Sequence, residues 1–85
     1  LFRALASIID RRIISSYRLW PNNVAAAELI EGKAPSDSKA TAGLEKYIDG
    51  EIRSLPAMPY GAKRSIRERL MRIYANPVFR KRELA

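Results

Sequence analysis

Residues 1–23 read LFRALASIIDRRIISSYRLWPNN, and their spacing decides the fold. Phe2, Leu5, Ile9, Ile13 and Tyr17 recur every three or four positions, the period of one face of an α-helix. Leu1, Ile8 and Trp20 widen that stripe, while Arg3, Ser7, Asp10, Arg11 and Arg18 fall on the other side. Ile14 lies among the polar residues and marks a second, smaller surface for a partner. Pro21 disfavours helical geometry at Trp20, so the helix is expected to end near Leu19.

Working outward, Pro21-Asn22-Asn23 reads as a corner in which either Asn can cap the next helix. That helix, about Val24 to Glu31, is short and rich in alanine, which permits close packing, and Gly32 is its natural stop. A loop over residues 33–38 follows, with Ser36, Asp37 and Ser38 as candidate caps. A third helix over about Lys39 to Ser54 places Ala40, Leu44, Tyr47, Ile48, Ile52 and Leu55 on one face. Gly43 and Gly50 each weaken it by about 1 kcal/mol relative to Ala, so tertiary contacts must support it. Residues 56–61, Pro-Ala-Met-Pro-Tyr-Gly, form a rigid connector. A fourth helix, about Ala62 to Ala75, turns Ile66, Leu70, Ile73 and Tyr74 inward. Asn76-Pro77 stops it and restarts a short terminal helix, Asn76 capping and Pro77 in the first turn. No strand pattern competes. The expected fold is all-α, a small antiparallel bundle of about four helices with a short C-terminal helix, forming a single domain over residues 1–85.

With 85 residues, such a domain buries only roughly 60 to 65% of its unfolded surface and is marginally stable. There is no cysteine and no histidine, which excludes disulfides and, in effect, a structural zinc site. Because the chain opens on Leu1, we expect a fragment or accessory domain of a longer protein. No run approaches the ~18 apolar residues that span a bilayer. Asp10, Arg11 and Arg12 interrupt any secretory h-region. Acid–base catalysis would need a carboxylate, lysine or tyrosine in place of histidine. The nearest cluster, Glu45, Asp49 and Glu51, sits beside Lys46 and Arg53 and reads as a solvated surface. Ser15-Ser16 has no base to activate a nucleophile. No catalytic residue, metal ligand or cofactor is expected in this segment.

The charge is more informative. The net charge is +7, yet residues 24–60 hold four Lys/Arg against six Asp/Glu, whereas residues 61–85 hold eight against two. A basic segment of this kind is aimed at phosphates, of lipid or of nucleic acid. The candidate anion-binding residues are Lys63, Arg64, Arg67, Arg72, Arg80, Lys81 and Arg82. Within the fourth helix Glu68 is four residues from both Arg64 and Arg72, and an ion pair with either is worth about 0.3 to 0.5 kcal/mol. In the tail, Phe79 beside three cations adds an apolar anchor, suited to an anionic membrane. Ile14, Trp20 and Phe79 are the candidate apolar contacts with a membrane or partner. Trp20 is also expected to fold under its corner, its indole N–H bonding to a backbone carbonyl.

Two stretches, residues 9–12 running on to Tyr17-Arg18-Leu19-Trp20-Pro21-Asn22-Asn23, and Ile73-Tyr74-Ala75-Asn76-Pro77-Val78, resemble segments of bacterial proteins of the phospholipid/glycerol acyltransferase group. The resemblance covers most of the chain as a helical part beside the acyltransferase domain. That family's catalytic signature is a His and an Asp separated by four residues, and with no His here no catalytic role carries over. The resemblance implies a parent that transfers an acyl chain to a glycerophospholipid precursor at a membrane surface, with the basic tail docking it. The expected location is cytoplasmic, peripheral to the inner membrane. The expected partner is an anionic membrane surface or the protein's own catalytic domain. Two other readings fit the residues: a nucleic-acid-binding module using the basic C-terminal face, and a plain protein-interaction bundle contacting through Ile14 and Trp20.

Overall fold

The computed structural model describes residues 2–34, 36 and 39–84. Among them the fold is all-α, with five helices and no strand: α1 (Phe2–Ser16), α2 (Val24–Ile30), α3 (Ala42–Arg53), α4 (Ala62–Tyr74) and α5 (Pro77–Leu84). Helix α1 lies against α2, α3 and α5, and the chain then packs α2 on α3, α3 on α4 and α4 on α5. The expected roles of Leu1 in the α1 stripe and of Asp37 and Ser38 as caps lie outside the described residues.

Helix α1 buries Ile9 and Ile13 as its spacing predicts, and Ala6 beside them, but two residues depart from the expected faces. Ile8, placed on the apolar stripe, is 45% exposed, and Asp10, placed on the solvent side, is buried at 5%. The α-helical pattern stops at Ser16, three residues before the expected end, and Tyr17–Leu19 forms one 3₁₀ turn. The hydroxyls of Ser15 and Ser16 both donate to the Arg12 carbonyl, at 3.1 and 2.6 Å. Such local bonds compete with the α-helical ladder and favour a tightened end.

Neither Asn of the corner caps α2, contrary to expectation. Asn23 makes no side-chain cap bond, and the Asn22 amide donates 3.3 Å across to the Lys39 carbonyl. The Ala25 N–H likewise donates to the Ala40 carbonyl at 3.1 Å. The Lys39 carbonyl also accepts from the Ala42 amide at 3.2 Å in a turn, and α3 begins at Ala42, three residues after the expected start. Helix α2 ends as predicted: Gly32 is left-handed, and the Gly32 and Lys33 amides donate to the Leu29 and Glu28 carbonyls. This is the double bond pattern that closes a helix on a glycine.

The core is built around Ile9, Leu44, Ile48, Leu70 and Tyr74, all fully enclosed. Ala6, Ala25 and Ala26 are almost wholly buried in the same core. Closeness is greatest at Gly43, where a Cβ would fall on the Asn22 carbonyl and press the Asn22 side chain. Gly50, two turns further along α3, is the opposite case, since a Cβ there meets nothing within 4 Å. The two glycines therefore predict opposite outcomes in a urea titration. Gly43→Ala should lower stability by about 2 to 3 kcal/mol through overpacking against backbone. Gly50→Ala should raise it by about 0.5 to 1 kcal/mol through helix propensity.

Candidate functional site

The basic C-terminal face is set by a buried carboxylate. Asp10 Oδ1 accepts from the Tyr74 hydroxyl at 2.8 Å. Its two oxygens also accept from Arg80 Nε and Nη2, each at 3.0 Å. The Asp10 and Arg80 side chains are only 8% and 15% exposed. A planar guanidinium meeting a carboxylate in this two-pronged way fixes both distance and direction. Among the described residues no buried side-chain nitrogen or oxygen lacks a partner, so the network is complete. It ties α1 to the end of α4 and the middle of α5.

Helix α5 starts as its sequence predicts. Asn76 Oδ1 accepts from the Val78 and Phe79 amides at 3.0 and 3.3 Å, and Pro77 occupies the first turn. Arg80 then points inward and Leu84 packs on the core. With Arg80 fixed, Val78, Phe79, Lys81 and Arg82 are left on the outside of α5. Val78 is 67% exposed and Phe79 39%, and the Arg82 guanidinium lies 5.9 Å from the centre of the Phe79 ring.

The seven candidate anion-binding residues separate into two groups. Three are engaged within the protein: Lys63 donates to the Leu55 carbonyl at 3.0 Å, Arg67 pairs with Asp49 at 2.5 Å, and Arg80 holds Asp10. The other four, Arg64, Arg72, Lys81 and Arg82, are exposed, and among the described residues none of them forms an ion pair. The pairing of Glu68 with Arg64 or Arg72 that their spacing permits is not formed among the described residues. A further cation joins them. Arg69 sits 3.7 Å from the centre of the Phe2 ring and borders, with Arg72 and Phe79, a crevice of about 230 Å³ between α1, α4 and α5. The three-residue spacing of Arg69 and Arg72 is visible in the sequence. The Phe2 ring that steadies Arg69 comes from the far end of the chain and is not.

Of the apolar candidates, Phe79 lies on this face, while Ile14, 45% exposed, stands apart on α1. Trp20 folds under its corner, stacked on Tyr47 with ring centres 4.5 Å apart. Its indole N–H reaches the Ser16 hydroxyl at 3.3 Å, not a backbone carbonyl. The three acidic residues of α3 all have partners: Glu45 accepts from Thr41, Asp49 from Arg67 and Glu51 from Arg12. Among the described residues no group of three or more metal-ligating side chains gathers.

Two measurements probe the Asp10 network. Asp10→Ala and Arg80→Ala should each destabilise by about 3 to 5 kcal/mol, because each strands a buried charge. The double variant should lose clearly less than their sum, read as a coupling energy in a denaturation cycle. The second probe is alkaline pH. Burial, the Asp10 charge and the hydrogen bond to it push the Tyr74 phenol well above its ordinary value. The folded state therefore keeps a proton that the unfolded state releases near pH 10. Stability is full below that pH and falls above it, by up to roughly 1.4 kcal/mol per pH unit for this group. Tyr74→Phe should flatten that loss. Tyr47, raised by burial and by its bond to Glu51, leaves a smaller dependence in the same direction.

Comparison of this chain with protein-family models, curated proteins and solved structures found no match.

Proposed function

We propose that this chain is a non-catalytic helical module that docks on an anionic membrane surface through α5 and the neighbouring face of α4. The observation that carries this reading is the shared outward direction of Val78, Phe79, Lys81 and Arg82, fixed by Arg80 on Asp10. Exposed apolar side chains among cations suit the headgroup boundary, where the apolar groups leave water and the charges meet lipid phosphates. Each nearby Lys or Arg adds about 1 kcal/mol on an anionic surface. Arg69 and Arg72 extend the basic face along α4. No helix among the described residues is long and apolar enough to cross a membrane, so contact through this face would be peripheral.

The resemblance of residues 9–23 and 73–78 to the phospholipid/glycerol acyltransferase group supplies the larger setting we propose, an accessory domain that holds such an enzyme at its lipid substrate. Nucleic acid would use the same cations, but it offers nothing apolar to Val78 and Phe79 on a phosphate backbone. A test is co-sedimentation with phosphatidylglycerol-containing and purely phosphatidylcholine vesicles. Binding should require the anionic lipid, weaken with salt, and fall by about a hundredfold or more in Lys81→Glu/Arg82→Glu. Phe79→Ser should weaken it too. Equal binding to both vesicle types would overturn the membrane reading. Tight binding to a DNA duplex that ignores Phe79→Ser would favour nucleic acid instead.

A further inference from the structure

On another part of the molecule a groove of about 650 Å³ runs between the Trp20 corner and α3. This is within the size range of small-molecule sites, which are largely apolar with a few placed polar groups. The stacked Trp20 and Tyr47 rings line it together with Pro21, and Gly43 and Gly50 lie along its α3 side. At one end Arg12 and Glu51 neutralise each other at 2.8 Å. Lys46, between the two glycines on the same face of α3, is exposed and forms no ion pair among the described residues.

Gly50 is the informative residue. Gly43 is required by the approach of the Asn22 carbonyl, but nothing in the fold requires Gly50. It sits inside a helix, where glycine is unfavourable, with an ordinary helical backbone and open space where its side chain would be. What its missing side chain provides is room in the groove. The surroundings then define the occupant: apolar and aromatic surface for its body, and one uncompensated cation, Lys46, for its head. We propose that this groove binds a single-chain amphiphile with an anionic head, either a carboxylate or a phosphate monoester. The site is separate from the α4–α5 face and does not depend on the membrane reading.

Trp20 is the only tryptophan and lines the groove, so its fluorescence reports occupancy directly. Dodecanoate, dodecyl phosphate and dodecyltrimethylammonium, each below its micelle concentration, are the probes. The two anions should give saturable changes, and their relative affinities identify the preferred head. The cationic probe should bind at least about tenfold more weakly, a difference that Lys46→Glu should reverse. Gly50→Leu should reduce anion binding at least about tenfold while its melting temperature stays equal or rises, since leucine favours the helix. Lys81→Glu/Arg82→Glu should leave the response unchanged. Undiminished binding in Gly50→Leu, loss of the response in the tail variant, or an equal response to the cationic probe would each overturn the proposal.

Discussion

Asp10 is a buried carboxylate on a helix that otherwise faces the core with alanine and isoleucine, and the arrangement of both ends of the chain depends on it. Left alone, the charge would be strongly unfavourable in that position. Arg80 and Tyr74 compensate it from α5 and α4, and in doing so they fix where those helices can sit. Apolar packing alone would tolerate rotation of α5, which has no fully buried residue. A guanidinium held by two bonds does not. Charge therefore orients α5, and the orientation leaves a basic, partly apolar surface outside.

The rest of the bundle is organised by small residues. Ala25 and Ala26 of α2 are buried in the core, and Gly43 lets α3 approach the backbone of the Trp20 corner. That approach also places Tyr47 beneath Trp20. The same glycine-bearing face of α3 thus serves two ends: tight contact at Gly43 and open volume at Gly50. Only the first is required by the fold itself.

Most of the architecture was legible in the chain. The periodicity of α1, α3 and α4, the glycine stop of α2 and the Asn76-Pro77 restart all follow from local rules, and local rules suffice for them. What was missed depends on distant partners. Asp10 falls on the polar arc of α1 by every local criterion, and only Arg80 and Tyr74 make its burial tolerable. Arg80 likewise reads as one more cation in a basic tail until Asp10 claims it. At the start of α3, which moves from Lys39 to Ala42, the Lys39 and Ala40 carbonyls bond across to Asn22 and Ala25, partners that local spacing does not reveal. Of the basic face, the composition was evident but not the division between Lys63, Arg67 and Arg80, engaged inside, and the outward cations.

The Asp10–Arg80 contact also bears on the order in which the molecule assembles. It joins positions 70 residues apart, so it closes a long loop. Loop closure over such a length carries an entropic penalty that falls when intervening helices have already condensed. Helices α1 to α4 can meet their sequence neighbours first, each through shorter loops. Docking of α5 then completes the bundle, and with it the outward face of Val78, Phe79, Lys81 and Arg82. Without that contact a carboxylate on α1 lacks its guanidinium, so the outward surface exists only where the two distant segments have met.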